Sequence, residues 1–190
     1  MERAMTVIYE ATPNPNSMKF CAGRQIASET VFFDDPAKTL RSPLAQKLFG
    51  FPWAQAVLIG PDFVTVTKQS WVEWKILADP LANLIEEHLE RGEGVLFAEK
   101  PEGAMGVADS STVDDAPVVK TIKQILDTEI RPAVAMDGGD IVFQRYEDNR
   151  LYLYMQGSCS GCPSSMMTLK QGVEARLKEA VPELIEVIAL

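Results

Sequence analysis

A run of small, acidic and helix-breaking residues in the middle of the chain constrains its fold more than any other feature. Residues 99–116 read EKPEGAMGVADSSTVDDA, with no sustained apolar period. Such a composition is typical of a flexible linker rather than of a helix or a strand. The linker predicts two small domains, residues 1–98 and residues 117–190. Each is near the lower size limit for independent stability.

The net charge of the chain argues against two classes of partner. The chain of 190 residues carries 27 acidic and 18 basic side chains, a net charge of -9, and 46% of its residues are hydrophobic. That hydrophobic fraction is ordinary for a globular protein with a buried core. The negative charge repels phosphate backbones and anionic lipid surfaces, so neither nucleic acid nor a membrane is an expected partner. No stretch reaches the roughly 18 apolar residues of a membrane-spanning helix.

The first domain is predicted to be a mixed α+β fold. Strand-like residues flank the turn-rich run TPNPN at positions 12–16, which indicates two paired strands. Ser42 followed by Pro43 is typical of a helix N-cap and a first helical residue. The predicted elements are strands at 6–11, 18–21, 56–59 and 63–67 and helices from Pro43 and over 71–91, where Pro80 is expected to kink or restart the second helix.

The second domain is predicted to have the order α-β-β-α-β, which makes the whole chain an α+β protein of two small mixed domains. Apolar residues at helical spacing predict a first helix from Val118 that ends near Pro132. Period-two alternation on either side of residues 147–149 predicts a β-hairpin. A second helix over 166–177 and a strand at 184–188 complete the domain.

The densest chemical signal is the run GSCSGCPSS at positions 157–165, between the predicted hairpin and the last helix. Pro163 suits the first helical position, which would make Cys162 the N-cap and place both cysteine sulfurs beside unpaired backbone N–H groups. These donors and the helix dipole favour a thiolate over a thiol. Gly157 and Gly161 allow the backbone to bend and to approach a bulky ligand, so we expect an exposed, reactive pair.

The pair formed by Cys159 and Cys162 provides only half of a metal site. Zinc sites and iron–sulfur clusters held by thiolates need four ligands, and the other soft ligands, Cys21 and His88, lie in the first domain. Two copies of the chain would supply the pair twice, which favours a dimer around one shared centre. Zinc bound between two chains and a disulfide-forming dithiol remain open, because a CxxC at a helix start is also typical of thiol–disulfide oxidoreductases.

The residues around the cysteines resemble a known family. The runs DGGDI at 137–141 and MQGSCSGCPSS at 155–165 are similar to the NifU C-terminal domain, over about residues 117–190. In the first half, the runs that resemble the N-terminal domain of Nfu proteins are TPNPNSMKF at 12–20, SPLA at 42–45 and DFVTVTK at 62–68. The two resemblances cover nearly the whole chain in the domain order of that family.

The resemblance implies a scaffold or carrier, not an enzyme, that binds a [4Fe–4S] cluster across a dimer and delivers it to other proteins. Its ligands would be Cys159 and Cys162 of both chains. The implied partners are upstream cluster assembly proteins, apo iron–sulfur proteins as recipients, and a second copy of the chain when the cluster is bound. The alternative function is a thiol–disulfide oxidoreductase that cycles a disulfide between the same two cysteines.

The remaining features are interpreted as structural. Strand-like residues follow Met5 at once, which leaves no room for a signal peptide and predicts the cytoplasm, or the mitochondrial matrix for a processed eukaryotic form. Residues 137–140 are interpreted as a turn rather than a catalytic carboxylate pair. His88 is interpreted as a solvated helix residue, and Cys21 as a packing residue without an assigned role. No phosphate loop, catalytic triad or nucleotide-binding motif indicates an enzyme.

Overall fold

The computed structural model describes residues 6–97, 116–160 and 163–190, so the predicted linker falls almost entirely outside the described residues. The described helices and strands form two separate hydrophobic cores, one from Val7 to Val95 and the other from Ile122 to Val187. The chain is therefore an α+β protein with two mixed domains, as its sequence predicts. None of the described helices has the length and hydrophobicity to cross a bilayer.

A five-stranded antiparallel sheet forms the first half of the protein. Its strands are β1 (Ile8–Ala11), β2 (Ser17–Cys21), β3 (Val31–Phe33), β4 (Ala54–Ile59) and β5 (Phe63–Lys68), in the spatial order β1-β2-β5-β4-β3. The hairpin-like pairing of β1 with β2 is confirmed. The helices are α1 (Pro43–Phe49) and α2 (Trp74–Glu90), preceded by a short 3-10 helix at Pro36–Arg41. Buried residues of both α-helices pack into the same core as one face of the sheet.

The helices of the first half follow local sequence signals, with one exception. The Ser42 hydroxyl accepts a hydrogen bond from the Ala45 N–H at 3.0 Å, which confirms the predicted N-cap. Helix α2 begins at Trp74 and continues through Pro80 without ending there. The carbonyl that Pro80 leaves without a helical donor is that of Ile76, whose side chain is exposed.

A three-stranded sheet with helices on one face forms the second half. Its elements are α3 (Pro117–Ile125), α4 (Arg131–Met136), β6 (Gly139–Glu147), β7 (Arg150–Gly157), α5 (Pro163–Ala180) and β8 (Glu186–Ala189). Strands β6 and β7 form the predicted antiparallel hairpin, and β8 joins β7 in parallel. With α3 and α4 counted as one helical segment, the predicted order α-β-β-α-β is confirmed.

The sequence predicts that the first helical segment of this half ends near Pro132, but this prediction is wrong. A π-helical turn, Leu126–Ile130, connects α3 to α4, and Pro132 lies in the first turn of α4. The wider π turn gives room for a proline ring that would otherwise clash with the carbonyl four residues earlier. The segment therefore continues to Met136 and delivers the chain directly to residues 137–140.

Candidate functional site

The cysteine loop, residues 158–160, leads from the end of β7 toward the start of α5. Gly157 ends β7 with a φ of +64°, a conformation that L side chains rarely adopt. Pro163 is the first residue of α5, as predicted. Cys159 is described by the structure, whereas Cys162 lies outside the described residues.

Cys159 is buried in the second hydrophobic core and packs against the first residue of β6. Its side chain is only 7% exposed. A Cβ atom at Gly139 would lie 2.3 Å from the Cys159 Sγ, far inside van der Waals contact. Only glycine at position 139 leaves the sulfur where it is.

The surroundings of Cys159 favour the protonated thiol in this conformation. Burial raises the pKa of Cys159 to about 11, and the charges of Asp137 and Asp140 also raise it, although a hydrogen bond with Ser158 lowers it. The expectation of an exposed, stabilised thiolate is therefore wrong for Cys159. The reason is that the side chain packs into the core, where the loss of hydration outweighs favourable dipoles.

Ser158 ties the cysteine loop to the run at 137–140. Its hydroxyl donates to the Asp137 carbonyl at 2.7 Å, and its N–H donates to the Gly138 carbonyl at 3.1 Å. The predicted turn at 137–140 is thus only partly correct. Gly138, with a φ of +75°, makes the turn after α4, but Gly139 and Asp140 already belong to β6. These residues support the cysteine loop, a role that the sequence interpretation missed.

Arg131 and Asp140 fix the orientation of this support. The Arg131 Nε and Nη2 atoms donate to the two carboxylate oxygens of Asp140, each at 2.9 Å. Asp140 is buried, so the bidentate pair compensates for the lost hydration of its charge. The pair joins the beginning of α4 to the beginning of β6, next to Gly139. Asp140 therefore has a structural partner in Arg131.

A cavity of about 610 Å³ opens beside Cys159. Its lining includes Pro13, Val134, Ser158, Cys159, Leu169 and Val173. Among the described residues, no group of three or more His, Cys, Asp or Glu side chains is placed to hold a metal ion. The cavity therefore offers space next to one soft ligand, but the described part of a single chain does not complete a metal site.

His88 and Cys21 lie in the first half, away from the cysteine loop. His88 is 1% exposed, so its interpretation as a solvated helix residue is wrong. Its Nε2 lies 3.2 Å from the Gly94 carbonyl, and its Nδ1 lies 3.4 Å from the Glu93 carboxylate. Cys21 ends β2 as a free, partly buried thiol. The sequence alone could not reveal the burial of His88, because the covering segment follows the end of α2.

Two family models match this chain. A model described as a NifU-like domain matches residues 122–188, and a model described as the N terminal of the scaffold protein Nfu/NifU matches residues 7–92. The two matched ranges correspond closely to the two hydrophobic cores.

Curated relatives match almost the whole chain. The human protein named NFU1 iron-sulfur cluster scaffold homolog, mitochondrial, is 40% identical over 184 residues, which cover 96% of this chain and 70% of that protein. A relative of the same name from Drosophila persimilis is 40% identical over 185 residues, which cover 96% of this chain and 64% of the relative. This chain thus spans only part of the length of these relatives.

A solved structure also resembles part of the chain. The solution NMR structure of a NifU-like protein from Saccharomyces cerevisiae is 26% identical and aligns with a TM-score of 0.46. The alignment covers 52% of this chain and 91% of the yeast chain.

Proposed function

Because this chain belongs to the Nfu family of iron–sulfur cluster scaffold proteins, we propose that it carries a [4Fe–4S] cluster between two copies and passes it to apo-proteins. The proposed ligands are Cys159 and Cys162 of each copy. The observation that supports this proposal is the position of Cys159, seated on Gly139 beside a cavity, with no complete metal site among the described residues of one chain.

The donor atoms fit an iron–sulfur cluster as cargo. Clusters of this type are held by cysteine thiolates, usually four, and two copies of a CxxC supply that number. Binding of iron releases the thiol proton, so a thiol that stays protonated in the free chain becomes a thiolate only as the cluster binds. Each chain would hold the cluster through only two ligands and could therefore release it, which suits transfer better than storage.

The alternative of a thiol–disulfide oxidoreductase has less support. The attacking cysteine of such an enzyme is accessible and has a lowered pKa. Cys159 is buried, and burial raises its pKa instead. We therefore propose a non-enzymatic role for the cysteine loop.

The partners and the location of the protein are part of this proposal. We propose apo iron–sulfur proteins as recipients, an upstream assembly protein as the cluster donor, and a homodimer as the loaded form. The curated relatives carry the word mitochondrial in their names. We therefore propose the mitochondrial matrix for a processed eukaryotic form and the cytoplasm otherwise, both of which keep thiols reduced.

The first test is anaerobic reconstitution with iron and sulfide, followed by iron and sulfide analysis and native mass spectrometry. We expect one [4Fe–4S] cluster per two chains in a dimer. Cys159→Ser and Cys162→Ser should each abolish cluster binding, because each removes two of the four ligands from the dimer. Cys21→Ser is the matched control and should load normally, since Cys21 lies in the first half of the chain.

Full loading of either ligand variant would contradict the ligand assignment. Failure of the wild-type chain to load, together with reduction of disulfides or retention of zinc, would contradict the scaffold proposal. In that case Cys159 and Cys162 would be a redox pair or a zinc site.

A further inference from the structure

The turn at residues 12–16 contacts the cysteine loop, although the two are far apart in sequence. Asn14 is 2% exposed, and its Nδ2 donates to the Ser160 carbonyl at 2.9 Å. Pro13 lines the same cavity as Cys159. The proposed function gives this turn no role.

The turn is held in shape before it meets the loop. The Asn14 side-chain oxygen accepts from the Asn16 N–H at 3.0 Å, and the Thr12 hydroxyl donates to the Asn14 carbonyl at 2.9 Å. Pro13 and Pro15 restrict the backbone further. The Asn14 amide group is therefore preorganised to donate its hydrogen bond outward, to the cysteine loop.

The second face of the five-stranded sheet is also covered by the cysteine-bearing half. Every residue of β5 is buried, although α1 and α2 pack on only one face. Leu58 is fully buried but lies outside both hydrophobic cores. A Cβ at Gly157 would lie 2.6 Å from the Leu58 Cδ2, and a Cβ at Gly138 would lie 2.7 Å from the Thr65 Oγ1. Both glycines thus allow close approach of the sheet.

Two features weaken the contact between the halves. The Thr65 hydroxyl is fully buried and has no hydrogen-bond partner among the described residues. A buried hydroxyl without a partner opposes the closed arrangement, because water would satisfy it in an open one. The Lys19 Nζ donates to the Met136 carbonyl at 3.0 Å in an exposed hydrogen bond, which water can replace. Both features lower the cost of separating the two halves.

We propose that the first half is a reversible cap on the cysteine loop, and that the cap leaves when a second copy of the chain brings its own loop to a shared cluster. This inference rests on the proposed function, because only a bridged cluster requires the space beside residues 158–160 to admit another chain. In the free chain, Asn14 contacts Ser160 and Pro13 lines the cavity beside Cys159, so both residues lie in that space. The cap thus couples cluster loading to separation of the two halves.

Hydrogen–deuterium exchange of the full wild-type chain, free and loaded, tests the cap directly. Loading should increase exchange in the turn at 12–16, because the loop that anchors it through Asn14 is withdrawn. Exchange within the β6–β7 hairpin should not increase, since its core remains intact. Equal protection of the turn in the free and loaded forms would overturn the cap and leave the scaffold proposal standing.

Variants of the free chain test the contact without any cluster. Asn14→Ala should increase exchange of residues 155–160 about fivefold, the change in an opening equilibrium expected for the loss of one hydrogen bond. Lys19→Glu should increase exchange of the same residues by a smaller factor, because water replaces its exposed hydrogen bond. The matched controls are Asn16→Ala, whose side chain makes no hydrogen bond to the described residues, and Lys75→Glu, an exposed residue on α2. Both controls should exchange like the wild type.

Two outcomes separate the cap from the scaffold proposal. If the wild type does not load but Asn14→Ala and Lys19→Glu still increase exchange of residues 155–160, the scaffold proposal fails and the contact is established. If these two variants exchange like their controls, the cap proposal is wrong, whether or not the wild type binds a cluster.

Discussion

Gly139 is the residue on which the position of the Cys159 sulfur depends. We expect Gly139→Ala to destabilise the fold by about 1–3 kcal/mol, because the added methyl group overpacks a filled core. The methyl group would lie 2.3 Å from the Cys159 Sγ and 3.2 Å from both the Ser158 Oγ and the Val134 Cγ1. The measurement is the free energy of unfolding in urea of the free, reduced protein.

A double-mutant cycle identifies the cause of this loss. In a Cys159→Ala background the sulfur is absent, so most of the cost of Gly139→Ala should disappear. An equal cost in both backgrounds would show that Gly139 does not pack on the sulfur. In that case the cost would come from the backbone or from Val134 and Ser158.

The sequence identified Cys159 but could not identify Gly139. A CxxC before a proline indicates metal binding or disulfide exchange from the sequence alone. The run at 137–140 has the composition of any turn. Its contact with the cysteine lies 20 positions away and exists only because β6 and β7 pair with Gly139 opposite Gly157. Local patterns do not encode such pairings.

At the scale of single elements, His88 fixes the end of α2 to the segment that follows it. Burial lowers the pKa of His88 from its ordinary 6.5, with the Lys47 charge in the same direction and the Gly94 carbonyl and Glu93 opposed. The unfolded chain therefore binds this proton more readily than the folded chain. The contribution of His88 to the unfolding free energy is complete above about pH 6.5 and is lost as the pH falls below that value toward the folded-state pKa.

His88→Gln tests this pH dependence. Between about pH 7.5 and about pH 5.5, the unfolding free energy of the wild type should fall more than that of the variant, which has no imidazole to titrate. Carboxylates titrate in both proteins and cancel in the difference. Parallel pH profiles for the two proteins would mean that His88 is not buried in its neutral form.

Most elements, but not all their ends, could be predicted from local signals. The Ser42 cap and the β6–β7 hairpin depend on neighbouring residues, and both are confirmed. The short strand β3 and the 3-10 helix were not predicted, because three strand residues and one turn carry little periodicity. The helix through Pro132 depends on a π turn, which has no distinctive sequence pattern.

At the scale of the whole molecule, the sequence predicts two domains but not the contact between them. The run at 62–68 alternates apolar residues with threonine, which is typical of a strand with one face in solvent. In the structure Thr65 and Thr67 are buried as well. Threonine suits either environment, so only the folded chain shows that the second half covers this face.

Two separate cores predict two units that unfold separately. Leu48 is fully buried in the first core and Leu177 in the second. Truncation of either to alanine should cost about 2–5 kcal/mol, through lost burial and the cavity left behind. Leu48→Ala should therefore increase hydrogen–deuterium exchange in β4 and β5 and leave β6 and β7 as in the wild type. Leu177→Ala should do the reverse.

The pair of variants serves as its own control, because the two substitutions are chemically identical and differ only in the core that they affect. An increase in exchange throughout the chain for both variants would mean that the two halves unfold as one unit. Such coupling would require a strong contact between them. It would therefore contradict the weak contact that we infer from the Thr65 hydroxyl, which has no partner in the described part of the chain, and from the exposed Lys19 hydrogen bond. Independent unfolding is what a first half that can leave the cysteine loop requires.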